Sequence, residues 1–171
     1  MTPAEIDWTD YEAAVVDVAE RCLNGLAQRP LGEEICSFGI EGQIEEGWVS
    51  VSANTTSHRT TDNQWWIPDW SHPYLDEDLP DETTQARFRA ISERFHSIDY
   101  GEDSLATYHE LCRHFRLACL RSLKRLHLRI EDFRFPRSED FELVYMDDGE
   151  ELYRGISEIE DGINAQQQTE G

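Results

Sequence analysis

The feature that most constrains the fold is a long amphipathic stretch over residues 103–127. Its apolar side chains recur every three or four positions, which places them on one face of an α-helix: Leu105, Tyr108, Leu111, Cys112, Phe115, Cys119, Leu123 and Leu126. Basic residues concentrate in the C-terminal half of the stretch, where they suit the negative end of the helix dipole. A helix with one apolar stripe has to bury that stripe against another layer of structure.

The remaining periodicity supplies candidates for that layer. Helical spacing predicts further helices over residues 7–27 and 81–96 and a short one over 150–162. Alternating or continuous apolar runs predict strands at 35–40, 47–53 and 141–146, with a glycine-containing turn that makes the first two a β-hairpin. This order lacks regular βαβ alternation, so we predict an α+β fold with a mainly antiparallel sheet and helices packed on one face.

Chain length and the positions of polar and proline-containing stretches predict the domain organisation. The 171 residues suit one domain, which we place at residues 1–165, followed by a flexible tail over 166–171. Residues 54–64 contain no apolar side chain and are predicted to be a solvated loop. The stretch from Trp65 to Trp70 is interpreted as a short strand or extended piece interrupted by Pro68.

The charge is large and uneven. The chain has 36 acidic and 15 basic residues, a formal net charge of −21. Residues 1–86 carry 18 acids and 3 bases, residues 87–137 carry 7 acids and 11 bases, and residues 138–171 carry 11 acids and 1 base. Such a chain is repelled by nucleic acid and anionic membranes and attracted to cationic partners. We expect the basic middle to pair internally with the acidic flanks.

Several functional classes are disfavoured by what the sequence contains. No apolar run reaches the roughly 18 residues of a membrane span. The acidic N-terminus is unlike a signal peptide, which predicts a cytoplasmic protein. Cysteine and histidine spacings match no metal motif, and no nucleophile elbow or phosphate-binding glycine loop occurs. We predict buried free thiols, no cofactor, no metal and no catalytic residues.

The acidic loop near the middle of the chain is the best candidate for binding a protein partner with a basic surface. We assign to this partner-binding site Asp76, Glu77, Asp78, Asp81, Glu82 and Trp70. Complementary charge would speed encounter and set specificity. The alternative is a solvated loop that only keeps the protein soluble. Trp65, Trp66 and Trp70 are either interface anchors or sheet core packed with Trp48, and core is favoured for at least two of the three.

One segment also carries a family resemblance. The second strand ends in Ser52-Ala-Asn-Thr55, and a polar gap leads to Trp66-Ile-Pro-Asp-Trp70. This arrangement resembles a family of uncharacterised bacterial proteins with an Ala-Asn-Thr turn followed by a Trp/Pro/Trp stretch. Members of that family often sit beside polymorphic toxins and look like immunity proteins. The resemblance implies a binding role and no catalytic residues.

The sequence therefore favours a small acidic, non-enzymatic binding protein of the immunity or inhibitor type that occludes a cationic toxin or nuclease domain. A nucleic-acid mimic would be a variant of this role. Two alternatives stay open at this point. One is a structural or regulatory interaction module whose acidity reflects a salt-adapted or high-GC host. The other is a small hydrolase whose site assembles only in space.

Overall fold

A computed structural model describes residues 1–64, 66–79, 82–148 and 151–168, without the side chains of residues 82–85. The helices within these residues are α1 (Trp8–Gln28), α2 (Glu82–Phe95), α3 (Ser104–Leu128) and α4 (Gly155–Gln168). The strands are β1 (Ile35–Gln43), β2 (Trp48–Thr55), β3 (Arg137–Asp147) and β4 (Leu152–Arg154). The predicted α+β class is confirmed.

The four strands form one sheet in the order β2-β1-β3-β4. The β1–β2 and β3–β4 pairs are antiparallel, whereas the central β1–β3 pair is parallel. The sheet is thus mostly antiparallel, as predicted, with a parallel pair at its centre. A bulge between Ile35 and Ser37 shifts the register of β1 against both of its neighbours.

Local sequence explains where the two longest helices begin. The Asp7 carboxylate accepts a hydrogen bond from the backbone N–H of Asp10 at the start of α1, at 3.0 Å. Asp103 does the same for Ala106 at the start of α3, at 3.1 Å. Each cap satisfies one of the backbone donors that the first helical turn leaves unpaired.

Strand alternation divides the sheet into two different faces. Side chains of one face join the main core with α1, α2, α3 and α4, and they include Phe38, Ile40, Val49, Val51, Ala53, Leu143 and Tyr145. The opposite face, called the open face here, carries a smaller cluster in which Val144 and Met146 pack with Ile67 and Trp70. Helices cover the first face, and an irregular segment covers part of the second.

A glycine in β1 permits that second cluster. A Cβ atom at Gly39 would lie 2.8 Å from Cδ1 of Ile67 and 2.8 Å from Cζ3 of Trp70. Contacts this short do not occur for real Cβ atoms, so the open face needs a residue without a side chain here. The missing side chain lets the segment of Ile67 and Trp70 lie directly on the sheet.

Three sequence predictions need correction. Asn54 and Thr55 belong to β2 and are fully buried rather than part of a solvated loop, because Asn54 Oδ1 accepts the backbone N–H groups of Thr55 and Ser71. The chain from Ile67 to Asp69 is a 3₁₀ turn rather than a strand. Trp48 stacks obliquely on Phe88 of α2, with ring centroids 5.2 Å apart, rather than on the later tryptophans.

Other expectations are met or extended. All four cysteines are free and buried, as predicted. The C-terminal helix runs to Gln168, so residues 166–168 of the expected tail are helical, and residues 169–171 lie outside the described part. The predicted helix over 150–162 begins later than expected, at Gly155, because residues 152–154 form the short strand β4 instead. None of the helices in the described part has the length and apolar character needed to cross a membrane.

Candidate functional site: an acidic groove on the open face

The predicted acidic loop lies along the outer edge of β2. The backbone N–H of Leu75 donates to the Val51 carbonyl at 2.7 Å, and the Asp76 carboxylate accepts the Val51 N–H at 2.7 Å. Ala53 and His72 exchange two further backbone bonds. Burial raises the pKa of the Asp76 carboxyl, although its bond to Val51 acts in the opposite direction. Asp76 therefore closes a sheet edge in this structure.

The other residues of the predicted site differ in how available they are. Asp78 pairs with Arg29 at 2.9 Å, and Glu77 is exposed. Asp81 lies outside the described residues, and so does the side chain of Glu82, the first residue of α2.

Trp70 requires a correction as a surface anchor. Its side chain is only 3% exposed, and its indole N–H donates to the Asn63 carbonyl at 3.0 Å. The ring fills the space over Gly39 and belongs to the open-face core, so it is not available to a partner. Trp66, four residues earlier, is 52% exposed, and Trp65 lies outside the described residues.

The basic middle of the chain pairs with acids elsewhere, as predicted. Its partners lie in α1, at the end of β3 and in α4: Arg87–Asp10, Arg125–Glu12, Arg129–Glu20, Arg116–Asp147 and Lys124–Glu160. Pairs exposed to solvent contribute little stability, about 0–1 kcal/mol each. Their main consequence is electrostatic, because they use up much of the positive charge and leave the acidic surplus elsewhere on the surface.

Part of that surplus lines a cavity on the open face. The cavity has a volume of about 720 Å³, and its walls come from β1, the loop before Ile67, the end of β3 and the start of β4: Glu41, Asp62, Trp66, Met146, Asp147, Asp148 and Leu152. We call this cavity the open-face groove. It combines large apolar side chains with carboxylates, so it can contact both parts of an amphipathic ligand.

The apolar wall is formed by exposed side chains above a buried base. Trp66 is 52% and Leu152 38% exposed, which is high for residues of this size, while Met146 belongs to the buried open-face cluster. The loop that carries Trp66 is held by Asn63. The Asn63 carbonyl accepts the Trp66 backbone N–H at 3.2 Å, and its side-chain amide donates to the His58 carbonyl at 3.0 Å.

The acidic wall contains two carboxyl groups with raised pKa values. Burial raises the pKa of Glu41, and the nearby charges of Asp148 and Asp76 raise it further. Oε2 of Glu41 is buried and has no hydrogen-bond partner among the described residues. Burial also raises the pKa of Asp148, whose Oδ1 accepts the Ile44 N–H at 3.3 Å. A buried acceptor without a donor is costly, so Glu41 would gain from a cationic donor.

Asp147 shows how differently a neighbouring acid is used. Its side chain is fully buried and accepts hydrogen bonds from Nε of Arg116 at 2.5 Å and from the Tyr145 hydroxyl at 3.0 Å. The pKa of the Arg116 guanidinium is raised above its usual value. Burial acts to lower this pKa, but the hydrogen bond to Asp147 and the negative charge of Asp147 outweigh that effect. This pair joins α3 to the end of β3 beside the groove.

Ser57 and His58, neighbours in the polar loop, bind to other groups rather than to each other. The Ser57 hydroxyl donates to Glu33, and the His58 ring contacts the Asp69 carbonyl oxygen at 2.9 Å, so the two side chains do not form a nucleophile–base pair. Within the same residues, no group of three or more His, Cys, Asp or Glu side chains is placed to hold a metal ion.

Sequence reasoning missed the groove for a definable reason. Alternation along β1 puts Glu41 on the face opposite Phe38 and Ile40, a signal that was present in the sequence. Asp62 and Trp66, however, come from a loop, and Asp148 follows a strand more than eighty residues later. Nothing in the spacing of these residues indicates that they meet.

Comparison with known proteins assigns no family or function to the chain. We found no match for the chain among protein-family models, curated proteins or solved structures.

Proposed function

We propose that this chain is a small, acidic, non-enzymatic binding protein of the immunity or inhibitor type. It binds a protein with a basic surface, such as a cationic toxin or nuclease domain, and occludes that domain's working surface. The observation that carries the proposal is the open-face groove, where exposed apolar side chains lie beside Glu41, a carboxylate whose charged neighbours are acids.

The charge distribution supports this role. Much of the basic middle is engaged in internal ion pairs, so the net charge of −21 is expressed as surplus acid on the surface. A field of that sign accelerates encounter with a cationic partner and disfavours nucleic acid. The resemblance of the Ala-Asn-Thr turn and Trp/Pro/Trp stretch to immunity-like proteins agrees with the same role.

The mechanism we propose is steric and electrostatic. Interfaces of this kind combine a central apolar anchor with a polar rim, and tryptophan is enriched among the residues that dominate their binding energy. Trp66 and Leu152 provide such an anchor, and the acids around them provide the complementary rim. A partner bound here would have its basic surface covered, and its activity would be blocked without any covalent chemistry.

Co-expression with the products of neighbouring genes tests the proposal. We expect one neighbour with a basic domain to be toxic alone, to be neutralised by this chain, and to form a complex that weakens as salt is added. A variant that tests the groove replaces Trp66 with Ala. This change should weaken neutralisation while leaving the protein folded. The proposal fails if no neighbour is toxic, or if none is neutralised or bound.

A further inference from the structure

We propose that the open-face groove is an arginine-receiving pocket, in which the guanidinium of a partner's arginine stacks on Trp66 and is bound by Glu41 and Asp148. This inference rests on the proposed function, because it names the chemical group by which the cationic partner is recognised. It commits the groove to one occupant, a single arginine side chain of a protein partner.

Charge complementarity is the first argument for this occupant. Glu41 and Asp148 line the groove, and the charges that raise their pKa values come from other acids, Asp148 and Asp76 for Glu41 and Asp147 and Glu45 for Asp148. Arg116, next to the groove, is already paired with Asp147. Oε2 of Glu41 is out of contact with solvent and has no hydrogen-bond partner among the described residues, so the Glu41 side chain would turn toward the groove to bind a guanidinium. A guanidinium would supply the positive charge and the N–H groups together.

The apolar wall selects arginine over lysine. A planar guanidinium stacks on an aromatic face and presents several N–H donors in a fixed fork, whereas the lysine ammonium is a compact and strongly hydrated charge. Trp66 offers an exposed ring, while Leu152 and Met146 offer apolar contacts for the methylene stem. The pairing of an aromatic ring with two carboxylates therefore fits arginine at both ends of its side chain.

The groove has ample room for an inserted side chain, and two of its walls are held in place by the sheet. Its volume of about 720 Å³ lies within the range of roughly 300–1,000 Å³ that is typical of ligand sites in proteins. Two of its walls are anchored on the sheet, since Glu41 lies in β1 and Met146 in β3. The buried Arg116–Asp147 pair fixes the end of β3 next to Asp148. An arginine would therefore meet walls whose backbone is held in place, with the Glu41 side chain as the group that turns.

The test uses the intact protein and a minimal probe. The probe is the N-acetylated, C-amidated tripeptide Gly-Arg-Gly, titrated at low ionic strength and followed by the NMR signal of the Trp66 indole N–H. The same tripeptide with lysine or with uncharged citrulline in the centre serves as comparison. We expect the arginine peptide to shift the Trp66 signal and to bind more tightly than the lysine peptide, and the citrulline peptide to show no binding.

Matched variants locate the binding. Glu41→Gln removes one charge from the groove, and Glu77→Gln removes one charge from the exposed part of the acidic loop. Loss of one charge-assisted bond should weaken binding of the arginine peptide by about tenfold or more in Glu41→Gln. Glu77→Gln should change it by less than about twofold, since distant exposed charges are screened. Asp148→Asn gives a second groove variant should Glu41→Gln not fold.

Two results would overturn the pocket. One is that the arginine peptide leaves the Trp66 signal unmoved; the other is that Glu77→Gln weakens binding as much as Glu41→Gln, which would show a general field rather than a site. A basic toxin neutralised equally by the wild type and by Glu41→Gln would also reject the pocket while retaining the binding function. Specific arginine binding without any neutralised neighbour would retain the pocket and reject the toxin-inhibitor role.

Discussion

The loop over residues 71–79 and the open-face groove are both acidic, but their carboxylates do different work. In the loop, Asp76 is bonded to the backbone of Val51 and Asp78 is paired with Arg29. In the groove, Glu41 has a buried oxygen without a described partner, and its charged neighbours are themselves acids. Two acids of the dense run, Asp76 and Asp78, thus have partners within the fold, whereas Glu41, which stands alone in sequence, has an oxygen without one in the described part of the chain.

This difference shows that charge density along a chain is a poor measure of charge available to a partner. A run of adjacent acids alternates in direction, so some of its members reach backbone donors at a sheet edge. Acids gathered from separate elements can instead line one wall and raise each other's pKa. Functional acids are therefore better sought by asking which carboxylates the fold leaves without donors.

The two tryptophans give the largest expected contrast between the regions. Trp70→Ala should lower the free energy of unfolding by about 3–5 kcal/mol, because it removes a buried ring that packs over Gly39. Trp66→Ala should change it by less than about 0.5 kcal/mol, because that ring is half exposed. Urea denaturation of both variants measures the two values. Equal losses would show that Trp66 is also part of the core.

Two adjacent acids of the loop give the next largest contrast. Asp76→Ala should cost about 1–3 kcal/mol of unfolding free energy, because the Val51 N–H at the edge of β2 loses its acceptor. Glu77→Ala should stay within about 0.5 kcal/mol of wild type, since Glu77 is exposed. Asp76→Asn keeps an oxygen acceptor and should recover part of the loss. If both alanine variants are equally stable, the hydrogen bond between Asp76 and the Val51 N–H does not stabilise the fold.

The smallest expected effect concerns the pH dependence of Glu41. Its pKa in the folded protein is raised, so the folded state holds this proton more tightly than the unfolded state does. The stability that it contributes therefore falls as pH rises from its ordinary value near 4.5 through the raised folded value. At pH values above its raised folded pKa, Glu41 is ionised at a cost, which Glu41→Gln removes.

We therefore expect Glu41→Gln to melt slightly above wild type at pH 7, by about 1–2 °C, and the gain to disappear toward pH 4. Thermal unfolding followed by circular dichroism across this pH range measures the change. Glu77→Gln serves as the control. A variant less stable than wild type at pH 7 would mean that the Glu41 carboxylate has a favourable partner in the fold.

The sequence predicted the elements whose evidence is local. Apolar spacing gave α1, α2 and α3 closely, and alternation gave the β1–β2 hairpin. The three-residue β4 was missed because so short a strand has no period of its own, and the parallel partner of β1 could not be identified because pairing between distant segments leaves no local signal. Trp66 and Trp70 could not be told apart, since a 3₁₀ turn rather than a strand sets their directions.

The parallel pairing of β1 with β3 also has a consequence for how the chain reaches its fold. The paired residues run from Ile35 with Arg137 to Gly42 with Asp147. Strand β1 therefore cannot pair with β3 until most of the chain has been synthesised. Contacts this distant in sequence slow folding and leave a strand edge exposed meanwhile. Residues 1–86 carry 18 acids against 3 bases, and their mutual repulsion would keep unfinished chains apart during that interval.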